Sequence, residues 1–261
     1  MGTVSVEALG LRFKSRNGGD VIALNDLNMT IPDKQFAVIV GPSGCGKSSL
    51  LDIIAGLKDP TGGVCRLDGK VINGPARERG MVFQNYSLFP WLTVLKNVEF
   101  GLSLHGSSQK ETTERARHYV NAVGLTGFEN AYPNQLSGGM KQRVAIARSL
   151  ANNPEVLLMD EPFGALDSQT RVVMQQLLLG IWEKEHKTVL FVTHDIDAAL
   201  FLGEKVYVMS ARPGRIIDTI PVDFAHPRSY ELSTTPAFVE LKRRIQHSLH
   251  AEVHKALSSA A

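Results

Sequence analysis

The sequence of 261 residues predicts an α/β fold with a mostly parallel sheet, an antiparallel β region at the N-terminus and an inserted helical region. Three patterns lead to this prediction. Residues 3–9 and 21–31 alternate apolar and polar side chains, as antiparallel strands with one buried face do. From about residue 93 to 151 the apolar spacing becomes helical. Short β-branched runs, which predict buried strands joined by right-handed crossovers, lie at 36–40, 156–160 and 188–193.

The remaining elements follow from the same patterns. The predicted helices are Ser48–Leu57, Thr93–Leu104, Gln109–Val123, Gly139–Ala151 and a segment near 168–185. Further strands are predicted at 64–67, 81–83, 205–209 and 215–220, the last two forming a hairpin across Arg212–Gly214. Asn17–Asp20 has the composition of a turn between the first two strands. We expect one core with a subdomain, since a chain of this length seldom supports more.

The sequence pattern of residues 222–261 predicts a linker followed by a helical tail. The helix should begin at Pro236, because proline suits a first helical position. Its apolar stripe consists of Phe238, Leu241, Ile245, Leu249 and Val253. His247, His250 and His254 have a spacing that suits a metal on one helix face. Because the sequence places no carboxylate or cysteine beside them, a solvated helix face is the favoured interpretation.

Composition limits the class of protein. The formal net charge is +2 and the sequence pI is near 8.5, which gives no electrostatic footprint for nucleic acid. We expect no secretory signal, since the N-terminus lacks a basic region followed by an apolar one. No apolar run approaches the roughly 20 residues that span a bilayer. The two cysteines, Cys45 and Cys65, argue against a disulfide framework and fit a reducing cytoplasm.

Residues 41–48 carry the strongest motif, Gly-Pro-Ser-Gly-Cys-Gly-Lys-Ser, which fits the P-loop pattern without a mismatch. It lies between a predicted buried strand and a predicted helix, as the chemistry requires. Glycines allow successive backbone N–H groups to point at phosphate, and the helix N-terminus adds partial positive charge. Lys47 would contact the β- and γ-phosphates, and Ser48 would bind Mg²⁺. The predicted nucleotide-binding residues here are Gly41, Pro42, Ser43, Gly44, Cys45, Gly46, Lys47, Ser48 and Ser49.

Two later strands end in residues that could complete this site. The run 156–160 is followed by Glu161, so that two acids stand at a strand end. Beside a P-loop, Asp160 would hold Mg²⁺ and Glu161 would act as the general base for the attacking water. His194 follows the run 188–193, and the ligand side of an open parallel sheet lies at the carboxyl ends of its strands. We therefore expect His194 near the γ-phosphate.

Together with these motifs, Leu136-Ser137-Gly138-Gly139-Met140 resembles the signature loop of ABC transporter nucleotide-binding subunits, over roughly residues 3–220. The resemblance implies the P-loop NTPase fold of an ABC cassette, with 93–151 as its helical subdomain. Ser137, Gly138 and Gly139 would then cap the ATP that is held by the other subunit. The resemblance also implies roles for Gln84 at Mg²⁺ and the attacking water, for Asp167 at the dimer interface, for His194 as the switch histidine and for Phe13 stacked on adenine.

The segment Phe89-Pro90-Trp91-Leu92-Thr93-Val94 is similar to the importer branch that serves nitrate, sulfonate, taurine and related solutes. In that branch the segment receives a helix of the membrane partner; a small local core around Trp91 is the competing interpretation. The resemblance implies a homodimer, ATP and Mg²⁺ (at Ser48, Gln84 and Asp160), two permease subunits and an external solute-binding protein. It places the chain at the cytoplasmic face of the inner membrane, with an ABC domain over 1–221 and a tail over 222–261.

A soluble ABC ATPase of DNA repair or of an assembly process is the alternative. Chromosome-type proteins insert a long coiled coil between the two halves of the nucleotide site. Here Lys47 and Asp160 are separated by 160 − 47 = 113 residues, and no sustained heptads occur between them. Translation-type proteins carry two cassettes, whereas this chain has one. The transport interpretation is therefore favoured, and the solute is left open.

Overall fold

The structure, a computed structural model, describes residues 2–14, 19–104, 106 and 108–258, and side chains up to residue 252. The strands are β1 (Val4–Lys14), β2 (Asp20–Ile31), β3 (Phe36–Val40), β4 (Gly62–Leu67), β5 (Lys70–Val71), β6 (Arg79–Val82), β7 (Val156–Asp160), β8 (Thr188–Thr193), β9 (Lys205–Met209) and β10 (Ile216–Pro221). The helices are α1 (Lys47–Ala55), α2 (Val94–Ser103), α3 (Gln109–Ala122), α4 (Gly138–Ala151), α5 (Ser168–Glu185), α6 (Ile196–Leu202) and α7 (Pro236–Ser258). Short 3-10 helices lie at Pro133–Gln135 and Tyr230–Thr234.

The chain forms two compact units. The first contains the residues up to Ala76 and those from His186 onwards, and the second is Arg77–Glu185. The mixed α/β architecture predicted from the sequence is confirmed, including the antiparallel N-terminal region and the helical segment. The predicted turn Asn17–Asp20 lies largely outside the described residues. The predicted limits of the ABC domain and of the tail stay a prediction.

In the first unit, four strands form an antiparallel sheet in the order β2-β1-β4-β5. Strands β10, β9, β3 and β8 are neighbours in that order, with β3 parallel to both β8 and β9 and the β9–β10 hairpin antiparallel. Every residue of β3 is fully buried. That burial explains the continuous apolar run in its sequence, because a parallel strand covered on both faces has no polar side. The hydroxyl of Tyr207 on β9 donates to the carbonyl oxygen of Thr30 on β2.

In the second unit, β6 and β7 pair in parallel and helices α2, α3 and α4 pack on one another. The loop before α2 is held from inside this unit by the completely buried side chain of Asn97. Its Oδ1 accepts from the backbone N–H of Phe89 at 2.9 Å. Its Nδ2 donates to the carbonyl oxygens of Phe89, Leu92 and Thr93 at 3.2, 3.0 and 3.0 Å. One buried amide therefore fixes the whole turn into α2.

Helix α1 is shorter than the sequence predicted. It was expected to reach Leu57, but it ends at Ala55 and the side chain of Leu57 is 50% exposed. The cause is Gly56, which adopts a left-handed conformation at φ 79° and sends its N–H and that of Leu57 back to carbonyls of the last turn. A glycine of this kind is a common helix stop. The predicted end of this helix at Leu57 is therefore wrong.

The C-terminal helix α7 packs in the first unit through Phe238 and Ile245 of the predicted stripe, which are fully buried, while Leu241 and Leu249 are partly buried and the side chain of Val253 lies outside the described part. Arg228, in the linker before it, is buried and donates to the carbonyl oxygens that end α6. These acceptors are Leu200, Phe201 and Gly203, at 3.3, 3.0 and 2.8 Å. His247 and His250 are exposed, and the side chain of His254 lies outside the described part. No helix in the described part of the chain is both long and apolar enough to cross a membrane.

Candidate nucleotide site

The P-loop joins β3 to α1 in the first unit, as the motif predicted. Gly46 caps α1 with φ 106°, a conformation that side chains rarely allow. A Cβ at Gly46 would lie 2.7 Å from Cδ2 of Leu24, so only glycine fits. Ser43, Gly44 and Ser48 are exposed, whereas Cys45 is buried beneath them. The loop therefore presents backbone N–H groups and the hydroxyls of Ser43 and Ser48 at a helix N-terminus, which suits an anion.

Lys47 is buried although it carries a charge. Its Nζ donates to the carbonyl oxygens of Gly41 and Pro42, at 2.9 and 3.0 Å. The ammonium thus folds back over the loop that begins the site. Because buried charges need such partners, the loop carbonyls hold the cation where an anion in the loop would meet it.

Arg212 also contacts this loop, which the sequence did not predict. It stands in the turn between β9 and β10, and its guanidinium donates to the carbonyl oxygen of Gly44 through Nε at 3.3 Å and Nη2 at 3.1 Å. The two residues are 168 positions apart. A contact with a backbone carbonyl at such a sequence separation leaves no pattern in the sequence from which it could be predicted. The loop is therefore supported from a hairpin as well as from its own strand and helix.

His194 lies at the same sheet edge as the P-loop. Strands β3 and β8 are parallel neighbours in register, with Val40 paired to Thr193. The loop starts one residue after the first of these, and His194 follows the second. His194 is exposed there. The next residue, Asp195, caps α6 by accepting from the N–H groups of Asp197 and Ala198. The parallel pairing, rather than the histidine itself, brings His194 beside the loop.

Phe13 projects from β1 with 40% of its surface exposed. The Nζ of Lys58 lies 5.2 Å from its ring centroid, a cation–π contact. Phe13 is therefore not a core residue. An exposed π-face is what stacking on a base requires. The adenine-stacking role itself stays a prediction.

The second unit brings Gln84 and the two acids to one edge. Strands β6 and β7 run in parallel with Val82 paired to Met159, so Gln84 and Asp160-Glu161 both follow carboxyl ends of neighbouring strands. Gln84 is exposed and the acids are partly exposed. Glu161 has φ 42°, a left-handed conformation that a non-glycine residue seldom adopts. Strain of this kind is concentrated at functional sites, which fits the role predicted for Glu161.

The signature loop forms the N-terminus of α4 in this same unit. The Ser137 hydroxyl caps the helix by accepting from the N–H of Met140 at 3.3 Å, and Ser137 and Gly138 are exposed. A Cβ at Gly139 would lie 2.9 Å from Cγ2 of Thr170. A side chain at the second glycine would therefore push against Thr170, while the first turn of α4 stays open to an anion.

Asp167 begins α5 in the way a helix-capping acid does. Its Oδ1 accepts from the N–H groups of Gln169 and Thr170, at 3.1 and 3.0 Å. The hydrogen bonds from Thr170 lower the pKa of this exposed carboxyl. Asp167 is therefore ionised and fixed in place at neutral pH, as a residue predicted to contact another copy would need to be.

An aromatic surface also lies in the second unit, made of Phe89, Trp91 and Phe100. The ring of Phe89 lies 5.7 Å from that of Trp91 and 4.4 Å from that of Phe100. Trp91 is 71% exposed, so the interpretation of a local core around it is wrong. Exposed aromatic clusters of this kind are typical anchors for a protein partner.

Comparisons with known proteins agree with this set of motifs. The family model described as ABC transporter matches residues 24–164. The nitrate import ATP-binding protein NrtD of Synechocystis sp. is 52% identical over 237 residues, which are 88% of this chain and 89% of the relative. The taurine import ATP-binding protein TauB of Rhizobium johnstonii is 46% identical over 253 residues, which are 95% and 97% of the two chains.

A solved structure agrees in fold. It is the dimeric, post-hydrolysis state of an ATP-binding cassette bound to ADP and Pi, with 38% sequence identity and a TM-score of 0.76. The match covers 85% of this chain and 100% of the other.

Proposed function

The chain belongs to the ABC transporter family of ATP-binding proteins and hydrolyses ATP, and from this premise we propose that it is the energy-coupling subunit of an importer. The proposed solute is small and anionic or organic, of the nitrate, sulfonate or taurine class. Support comes from two relatives of almost equal length whose names state nitrate import and taurine import. The alternative, a soluble ABC ATPase of repair or assembly, has less support because the aromatic surface is exposed.

One observation carries the proposed chemistry. In each unit, chemically competent residues stand at the carboxyl edge of paired parallel strands: the P-loop and His194 in the first, Gln84 and Glu161 in the second. Ligands of open α/β sheets bind at that edge. We assign phosphate binding to residues 41–49 and base stacking to Phe13.

Hydrolysis in this proposal is an in-line attack of water on the γ-phosphoryl group. Glu161 takes the proton of the water as its oxygen bonds to phosphorus, and the bond to the β–γ bridging oxygen breaks, giving ADP and phosphate. Gln84 and His194 orient the water. Lys47 neutralises charge on the phosphoryl oxygens as it spreads.

Mg²⁺ belongs to this proposal as the companion of ATP, where it supplies charge neutralisation at the phosphates. The donor set fits the ion: the Ser48 hydroxyl, the Gln84 amide oxygen and the Asp160 carboxylate are all oxygen ligands. Among the described residues no group of three or more His, Cys, Asp or Glu side chains is placed to hold a metal.

We further propose that two copies close around two ATP molecules. Ser137, Gly138 and Gly139 of one copy would cap the ATP held by the P-loop of the other, and Asp167 would lie at the contact. The dimeric form of the related cassette supports this arrangement. Closure and reopening would act on two permease subunits through the aromatic surface, with an external solute-binding protein delivering the solute. The proposed location is the cytoplasmic face of the inner membrane, as a peripheral subunit.

Glu161→Gln tests the catalytic assignment. The substitution keeps the shape but removes the base, so we expect ATP binding to persist while turnover falls by about a hundredfold or more. Size-exclusion chromatography in Mg-ATP should then show a dimer that is absent without nucleotide. Glu155→Gln, another acid close to β7, is the matched control. Wild-type turnover by the Glu161→Gln variant would remove Glu161 from the proposed role.

Affinity capture tests the transport assignment. The full chain, expressed with the permease genes that accompany it, should retain those subunits through purification in detergent. Trp91→Ala should lose them while ATP hydrolysis by the isolated chain is unchanged. Equal capture by both forms would show that the aromatic surface does not bind the permease.

A further inference from the structure

Helix α4 contacts the loop of Gln84 on both sides of that residue. Before Gln84, the hydroxyl of Ser149 donates to the carbonyl oxygen of Met81 at 3.1 Å. After it, the guanidinium of Arg148 donates to the carbonyl oxygens of Tyr86 at 3.2 Å and Ser87 at 2.6 Å. The same helix that begins with the signature glycines therefore fixes the backbone on which Gln84 stands.

Arg148 makes an unusually complete set of contacts for a charged side chain. Its two terminal nitrogens use the planar fork on two successive carbonyls, which a lysine could not match. Its guanidinium carbon lies 5.7 Å from the ring centroid of Phe89 in the aromatic surface. Burial lowers the pKa of Arg148. Ser87, whose carbonyl it holds, has φ 48°, so Arg148 helps to stabilise a strained turn.

Tyr86 connects this turn to the other end of α4. A Cβ built on Gly138 would lie 3.2 Å from the Tyr86 hydroxyl oxygen, so that hydroxyl lies against the first residue of the helix. The backbone carbonyl of Tyr86 accepts from Arg148. Arg148 lies ten residues after Gly138, which is about 15 Å along a helix. The tyrosine side chain thus lies along α4 and touches the signature loop.

We propose that Tyr86 and Arg148 are positioning residues that make the Gln84 loop and the signature helix move as one body. The inference rests on the nucleotide roles proposed above for Gln84 and Ser137. When the signature loop moves towards ATP, α4 moves with it. This movement brings Gln84 to its position at the site and shifts Phe89 and Trp91 by the same motion. The pair acts through other residues and does not touch the nucleotide.

The first test separates catalysis from binding. Arg148→Lys and Tyr86→Ala should each lower kcat for ATP about tenfold or more, because a misplaced positioning group costs rate rather than affinity. The Kd for Mg-ATP, measured by calorimetry in the Glu161→Gln background, should stay within about twofold, since the P-loop is intact. The double variant should be no slower than the slower single variant, since both act through one loop. Tyr86→Phe, which keeps the ring, should be the mildest.

Arg117→Lys on α3 and Tyr230→Ala are matched controls, because both side chains are exposed. Circular dichroism and the thermal midpoint establish that each variant is folded. If Arg148→Lys is too unstable to assay, the pair Tyr86→Ala and Tyr86→Phe decides alone. Wild-type kcat in Tyr86→Ala or in folded Arg148→Lys overturns the positioning role.

The second test uses the two tryptophans of the chain. Trp91 is 71% exposed and Trp182 is 7% exposed, so iodide quenching of fluorescence reports mainly on Trp91. In the Glu161→Gln background, Mg-ATP should change the quenching constant. Tyr86→Ala or Arg148→Lys added to that background should abolish the change although ATP still binds. A response that persists in both, or that is missing from the parent, overturns the coupled movement.

Two further variants distinguish a failure of the positioning role from a failure of the proposed site. If Gln84→Ala and Ser137→Ala hydrolyse ATP at the wild-type rate, the proposed site assignment fails. If they lose activity while the Tyr86 and Arg148 variants do not, the assignment stands and only the positioning role fails.

Discussion

Single residues set the charge and the strain at this nucleotide site. Lys47 is the sharpest case, because its ammonium is buried and held by two carbonyl oxygens of its own loop. That arrangement places a cation in the loop that is predicted to bind phosphate. The residue therefore holds the loop, and its proposed contact with phosphate would come in addition.

Lys47→Ala should weaken binding of Mg-ATP, measured by titration calorimetry. Hydrogen bonds to charged groups contribute roughly 1.5–3 kcal/mol, so the affinity should fall at least about tenfold. Lys110→Ala, on an exposed part of α3, is the control and should bind as the wild type does. Unchanged affinity in Lys47→Ala would remove this residue from the site.

Residues of the motifs could be predicted from the sequence, but their supports could not. The sequence indicates Lys47, Glu161 and His194 because each follows a buried strand in a recognisable pattern. Arg212 and Arg148 bind backbone carbonyls, which every residue possesses, at sequence separations of 168 and 61 or 62. No residue type is required at the accepting position, so no pattern exists to be found. The strained φ of Glu161 is likewise visible only in the folded chain.

At the scale of elements, the two sheets of the first unit are joined by the Tyr207 hydroxyl. Burial raises the pKa of Tyr207 to about 12, above its ordinary value of 10.0. Because the neutral form is favoured in the folded state, its contribution to stability is complete below pH 10 and is lost as the pH rises through about 12.

Tyr207→Phe should lower the free energy of unfolding by about 1 kcal/mol at neutral pH, the usual net value of one hydrogen bond. Urea unfolding of both proteins should show a constant difference up to about pH 10 and a shrinking one above it. Tyr230→Phe, on an exposed residue, should show no such difference. A difference in unfolding free energy that grows as the pH rises above 10 would contradict the upward shift of the Tyr207 pKa.

Asn97 makes α2 depend on a single buried amide. Asn97→Leu should destabilise the second unit by about 3 kcal/mol, because the N–H of Phe89 loses its acceptor and the carbonyls of Phe89, Leu92 and Thr93 each lose one donor. Urea unfolding measures the loss, and hydrogen exchange at Phe89 should quicken. Asn134→Leu is the control on an exposed residue. Equal stability of the two variants would show that the turn into α2 holds without Asn97.

Elements were mostly predictable, and the errors have simple causes. Helices α2, α3 and α4 lie within a residue or so of the predicted limits, because their apolar spacing is regular. Helix α1 stops early at Gly56, a stop signal that was present in the sequence but outweighed by the apolar Leu57. The placing of β3 between β8 and β9 is a matter of pairing, which short apolar runs do not encode.

For the whole molecule, the proposed dimer predicts that two inactive variants restore ATP hydrolysis when they are mixed. Lys47→Ala spoils the P-loop and Ser137→Arg spoils the signature loop, so each protein alone should be inactive. In a mixed dimer one site joins the intact P-loop to the intact signature loop. An equal mixture should therefore recover up to roughly a quarter of the wild-type rate, since half the dimers are mixed and each has one of two sites.

The assay is steady-state phosphate release after co-incubation. The control mixes Lys47→Ala with a protein that carries both substitutions, a pair that can form no intact site. Recovery in that control, or none in the test mixture, would contradict a head-to-tail arrangement of two copies. The family fold and the presence of a subdomain were predictable at this scale, while the bounds of the second unit at Arg77 and Glu185 were not.

The contact of Arg228 with the end of α6 has a practical meaning for protein engineering. Three carbonyl oxygens rely on that guanidinium, and α6 starts directly after His194 and Asp195. A version shortened after Pro221 would expose those oxygens together with the pocket of Phe238, next to the helix that starts after His194 and Asp195. Reporters and affinity tags should therefore be appended behind α7 and should not replace it.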